Sequence, residues 1–189
     1  MTIAREAGWL LAWDASDSLH LVNRGGQLQG RKAIEGKLVA ACAADDGSAC
    51  AAVGQDGEVW WLTPDLMPRW TAKLPARTTA CALDSFGRLL SVADTGGGLS
   101  IFDSRGTLTG HTQTPRPLVH VAFVPEEPLI VGCADFGFVG CFETTGKCAW
   151  RDGLVAHVGG LAVRGDGSRI TLACRCQSGW LASFTVSLG

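Results

Sequence analysis

The sequence predicts an all-β fold of repeated antiparallel sheets, on three observations. A pattern of apolar runs recurs every 40 residues, each period holds about four such runs, and Asp-Gly and similar turn formers divide them. The third run of the period reads SLHLVNRGGQL from Ser18, EVWWLTPDLMP from Glu58, GLSIFDSRGTL from Gly98 and FVGCFETTGKC from Phe138. Leu19, Val59, Leu99 and Val139 stand at matching places, which sets the period; WLASFTVSL from Trp180 is a fifth copy, displaced by two residues.

The second run of each period is GWLLAWDASD, ACAAVGQDG, LLSVADTGG, LIVGCADFG and ITLACRCQSG. The first is LVAACAADDG, TTACALDSFG, LVHVAFVPEE and GGLAVRGDG. In the third run Leu19 and Leu21, Val59 and Trp61, Leu99 and Ile101, and Val139 and Cys141 alternate in step, so each pair shares one face of a strand. The first run is apolar or small on both faces: Ala41, Cys81, Val121 and Leu161 on one, Ala40, Ala80 and Gly160 on the other. A strand of that kind is packed from both sides. Strands this short bury nothing alone and need stacked neighbours, which is the logic of a β-propeller. The reading is one domain, 1–189, of four-stranded antiparallel blades with a 40-residue repeat.

Counting gives about eighteen strands, hence three full blades and two partial ones. Residues 1–6 are short for an innermost strand, and no fourth run follows the last segment. An array open at both ends exposes an apolar blade face and free strand edges. Covering by a second copy, a different subunit or the rest of a longer protein is therefore expected.

Composition narrows the function classes. Apolar residues make up 47% of the chain, yet they come in short runs, and none approaches the roughly 18 residues of a membrane helix. The net charge is −2 and the sixteen Lys and Arg are scattered, so neither a membrane nor a nucleic-acid partner is expected. The opening run is broken at once by Asp14 and Asp17, unlike a secretory signal. The eight cysteines include no C-x-x-C pair, and several sit in apolar strand patterns (Cys42, Cys81, Cys133, Cys141). They read as reduced, core-filling thiols of a cytoplasmic protein.

One stretch carries a family resemblance. Gly110-His111 is followed by LVHVAFVPEEPLIVGCADFG and then FVGCFE, with Phe102-Asp103 as a second near match. This resembles a degenerate WD-repeat protein, with His111, Phe123, Pro125, Asp135, Phe142 and Glu143 at the matching places. No repeat closes in Trp-Asp and only one has Gly-His, so the resemblance implies at most a buried network reduced to His111 and Asp135.

Candidate sites follow from the repeat. Lys37, Arg77 and His157 precede successive innermost strands, with Arg116 beside the fourth. A propeller places that position at the channel rim, where positive charge suits an anion or an acidic peptide. The plainer alternative is pairing with Asp56, Asp94 and Asp135. Trp60 stands where other repeats have His20, Ser100 and Gly140, and Trp9 and Trp180 also replace smaller residues. These are candidate interface anchors, or else gap fillers between blades. Cys174-x-Cys176 lacks the two further ligands of a structural zinc site, so no metal is assigned. No cofactor is assigned either. The chain has no G-x-S-x-G elbow, H-E-x-x-H, Walker loop or dinucleotide fingerprint.

The expected function is a non-enzymatic scaffold for protein–protein interaction or self-association. The rival from another class is a propeller that uses its channel rim to bind a small anion or other ligand, or to catalyse a reaction there.

Overall fold

The computed structural model describes residues 1–177, 179 and 181–187. Nineteen strands in five antiparallel sheets account for them, with no helix among the described residues. Sheet 1 comprises β1 (Thr2–Ala4), β2 (Trp9–Trp13), β3 (Ser18–Asn23) and β4 (Leu28–Ala33). Sheet 2 comprises β5 (Leu38–Ala43), β6 (Cys50–Gly54), β7 (Glu58–Leu62) and β8 (Pro68–Lys73). Sheet 3 holds β9 (Thr78–Leu83), β10 (Leu89–Asp94), β11 (Gly98–Asp103) and β12 (Leu108–Gln113). Sheet 4 holds β13 (Leu118–Phe123), β14 (Leu129–Ala134), β15 (Val139–Glu143) and β16 (Cys148–Asp152). Sheet 5 has three strands, β17 (Val158–Gly165), β18 (Arg169–Cys176) and β19 (Leu181–Ser187).

The all-β repeat is as expected, with one correction to the count. Residues 1–6 do supply an innermost strand: Thr2, Ile3 and Ala4 pair with Leu11, Leu10 and Trp9. Sheet 1 is therefore complete, and four full sheets precede one of three strands. Three residues were too few to carry a legible alternation, but β2 offers a paired edge that holds them.

The repeat extends to backbone irregularities. Between third and fourth strands the register shifts at Leu21/Val22, Trp61/Leu62, Ile101/Phe102 and Cys141/Phe142. Such bulges add twist at one fixed place in each blade. The turn from second to third strand needs a left-handed residue, filled by Gly57 (φ 98°), Gly97 (φ 84°) and Gly137 (φ 80°). In sheet 1 Asp17 takes it at φ 58°, and its carboxylate accepts the Leu38 amide at 2.8 Å. That bond ties sheet 1 to sheet 2.

The core lies between sheets rather than inside any one of them. Leu11, Leu19 and Leu21 of sheet 1 pack on Ala41, Cys50, Ala52 and Leu62 of sheet 2. Trp61, Val59 and Val53 of sheet 2 meet Leu90, Val92 and Phe102 of sheet 3. Leu99 and Ile101 of sheet 3 meet Leu118, Ile130 and Phe142. Val131, Cys133 and Cys141 of sheet 4 meet Ile170, Leu172 and Cys174. Strands β6, β10 and β14 are accordingly buried at nearly every position, while β2 is mostly half-buried and β18 is buried only at alternate positions. Sheets 2 to 4 are packed on both faces, and sheets 1 and 5 on one face each. The five sheets thus form an open arc whose end faces do not bury one another.

Candidate functional site

The innermost strands of all five sheets line a central channel. A cavity of about 580 Å³ runs along it, walled by Ala41, Cys42, Cys81, Ala82, Val121 and Ala122 among others. The wall is small and apolar because the first strand of each repeat carries Ala, Cys, Val or Leu at these places. Apart from Thr2 on the wall, its polar groups sit at one mouth, where the inner strands finish: Arg5, Asp45 and Ser85. Arg5 pairs with Asp45 through Nε at 3.1 Å and through a second guanidinium nitrogen. The amides of Glu6 and Ala7 donate to the Asp45 carbonyl at 3.0 and 3.2 Å, so this mouth is a clasp between sheets 1 and 2. Sequence reasoning did not single out Arg5. Only the pairing of β1 brings it beside a residue 40 positions away.

Lys37, Arg77, Arg116 and His157 sit before the starting ends of the inner strands, at the opposite mouth, and none lines the cavity. Their repeat position has a backbone duty. The carbonyls of Lys37, Arg77 and His157 accept the amides of Gln55, Thr95 and Gln177 at 2.7, 2.7 and 2.9 Å. Any residue performs that role. Among the side chains, His157 Nδ1 lies 3.0 Å from Asp135 Oδ2, and Arg77 Nε lies 3.5 Å from Asp56 Oδ1. Both pairs are more than half exposed, where ion pairs contribute little. Asp94 instead binds its own turn, accepting the amides of Gly96 and Gly98 at 2.8 and 2.9 Å.

The network implied by His111 and Asp135 does not form. His111 is exposed on β12, with Ser100 Oγ 3.2 Å from its Nδ1, and Asp135 is engaged by His157. The Gly-His pair lies inside an outermost strand, on a different sheet from Asp135, which the linear pattern did not reveal.

Trp9 is half-buried and packs with Trp13 and Trp60 on the cluster between sheets 1 and 2, so all three fill that junction. Trp9 is thereby placed away from the open face of sheet 1. Trp180 lies outside the described residues. Cys174 and Cys176 both point into the junction of sheets 4 and 5, fully enclosed. Among the described residues no group of three or more potential metal ligands occurs. No helix among them is long and apolar enough to cross a membrane.

The end faces show what the open arc presents. Ile3 pairs with Leu10, Leu10 with Val22, and Val22 with Leu28, one apolar row across all four strands of sheet 1. Ile3 and Leu28 at its ends are 54% and 57% exposed, and Leu10 and Val22 are half-buried. One repeat later the same row contains Cys50 and Leu62, then Leu90 and Phe102, then Ile130 and Phe142, each buried against the preceding sheet. The free face of sheet 5 is different: among the described residues it carries Arg164, Arg169, Thr171, Arg175, Ser183, Thr185 and Ser187, with the small Ala162 and Ala173 and one exposed large apolar side chain, Leu181. An apolar face at both ends was expected. The fifth sheet instead alternates apolar-in and polar-out, as a solvated face requires.

No family model matches the chain, and no curated protein does. Solved structures do. The chain superposes on hydrazine synthase of Kuenenia stuttgartiensis with a TM-score of 0.77 at 15% identity, covering 96% of this chain and 56% of that one. On BamB from Moraxella catarrhalis the TM-score is 0.73 at 19% identity, covering 94% and 55%. The fold is a β-propeller. Identities this low show the fold alone, and the chain spans just over half the length of each of these structures.

Proposed function

We propose that this chain is a non-catalytic propeller module that binds a protein partner, or another copy of itself, through the free face of sheet 1. The observation that carries the reading is that Leu10 and Val22, half-buried on this face beside Ile3, hold the places that Cys50 and Leu62, Leu90 and Phe102, and Ile130 and Phe142 occupy in the following sheets, each buried against a neighbouring sheet. Burying an apolar side chain of that size contributes about 1.5–3 kcal/mol when complete. The matching surface is the trailing face of another propeller-type sheet. The polar face of sheet 5 does not match it, which disfavours a head-to-tail chain of copies.

The wall of small apolar groups supports binding rather than chemistry. The anion-binding alternative loses ground because the four rim residues stand apart from the cavity and two of them already pair with carboxylates. The WD-repeat resemblance of residues 110–143 agrees with a binding role, and the eight free cysteines favour a reducing, cytoplasmic setting. Native mass measurement tests the proposal. An assembly or captured partner that dissociates in Ile3→Glu and Val22→Glu supports it. A monomer at micromolar concentration whose free face takes up no partner overturns it.

A further inference from the structure

The 40-residue repeat sets which side chains face each other where neighbouring innermost strands meet. At the junction of sheets 3 and 4 the positions are Ala82 and Val121, and at sheets 4 and 5 Ala122 and Leu161. At the junction of sheets 2 and 3 they are Cys42 and Cys81, so sulfur stands on both sides. The two sulfurs are 3.6 Å apart, against about 2.05 Å in a disulfide. Both residues line the channel; Cys42 is 8% exposed and Cys81 more so.

We propose that Cys42 and Cys81 form a thiol–disulfide exchange site, at which a small-molecule disulfide entering the channel oxidises the pair and links sheets 2 and 3 covalently. Burial, and then the hydrogen bond with Cys81, hold the Cys42 thiol well above its ordinary range. The more open Cys81 therefore attacks first, since the thiolate is the nucleophile. Its sulfur takes one sulfur of the reagent, the reagent's S–S bond breaks, and the released thiolate takes up the proton that Cys81 gave up. Cys42 then attacks the Cys81 sulfur of the mixed disulfide, the second half of the reagent leaves, and it carries off the proton of Cys42. Two protein thiols are oxidised to one disulfide, and one small disulfide is reduced to two thiols.

The other thiols lack this combination of proximity and access. Cys133 and Cys174 come together across sheets 4 and 5, but both are fully buried. Cys148 is exposed on the outermost strand β16, away from the channel wall.

The test is incubation of the full native chain with oxidised glutathione, followed by proteolysis without reductant and mass analysis. The expected product is a Cys42–Cys81 linked peptide, from a protein lighter by two hydrogen atoms, with a thermal midpoint raised by several degrees. Cys42→Ala is expected to stop at a stable mixed disulfide on Cys81, and Cys81→Ala to leave Cys42 unreacted. Alanine is the residue the repeat itself places at both positions, as Ala82 and Ala41. The proposal is overturned if wild-type protein stops at the mixed disulfide, leaves both thiols unreacted, or links other cysteines instead.

Discussion

The ring of Trp150 meets that of Phe184 edge-on, with 5.7 Å between centroids, and so joins the outermost strand of sheet 4 to the third strand of sheet 5. Two repeats earlier Trp70 and Phe102 make the equivalent contact at 5.8 Å between sheets 2 and 3. The other two repeats place Gly30 and Gly110 at the tryptophan position. At Gly110 a Cβ atom would lie 2.5 Å from the Thr144 carbonyl oxygen, so that junction closes on backbone instead of on an indole.

Truncating these tryptophans is expected to destabilise the fold unequally. Trp150→Ala should cost about 2–3 kcal/mol, below the range for full burial because the indole is half-buried. Trp70→Ala should cost more, since Trp70 also stacks on Trp61 at 5.6 Å and donates from Nε1 to the Ser104 carbonyl at 3.3 Å. Urea unfolding of the two variants side by side checks the order.

Thiol reactivity should follow burial. Cys148 is exposed, Cys81 partly open, and the other six enclosed. Burial pushes the Cys50 thiol up to about 12 and the Cys141 thiol up to about 11, leaving almost no thiolate at neutral pH. A chromogenic disulfide reagent is expected to titrate Cys148 fast and Cys81 more slowly, with a third equivalent released as Cys42 displaces the reagent from Cys81, and the rest only on unfolding. Early release of a fourth equivalent from folded protein would contradict this.

Gly57→Ala should be costly for a reason visible only in the backbone. At φ 98° an added Cβ would lie 2.5 Å from the Leu74 carbonyl oxygen and 2.8 Å from that of Ala76. The expected loss exceeds about 1 kcal/mol, beyond the strain of a left-handed alanine alone. Asp17 occupies the same place in sheet 1, and Asp17→Asn, which keeps an acceptor for the Leu38 amide, should be nearly neutral. Thermal unfolding of both variants measures the contrast.

His120 makes stability depend on mild acid. Burial lowers its pKa below the ordinary value, and the charge of Arg175 adds to that, against the Val158 backbone bond and Asp135, which act the other way. The unfolded chain therefore takes up the proton first as pH falls, so stability should decline as pH drops through the ordinary histidine range near about 6.5. Comparing unfolding midpoints at about pH 7.5 and about pH 5.5, His120→Gln should show a smaller decline than wild type. An equal decline in both would assign the slope to other groups.

The sequence by itself determined the repeat, the order of strands and which faces are apolar. Those properties are local: alternation has a period of two, turns need Gly or Asp, and a 40-residue spacing repeats both, so Leu19, Val59, Leu99 and Val139 could be aligned before any contact was known. It did not reveal β1, because three residues have no pattern of their own and become a strand only through the edge that β2 offers. The tertiary structure alone decided that the rim charges stand apart from the cavity, that Trp9 faces sheet 2, and that Cys42 meets Cys81. Each of these depends on how neighbouring sheets are set against each other. That setting comes from side chains packing across junctions between residues about 40 apart, which no local pattern encodes.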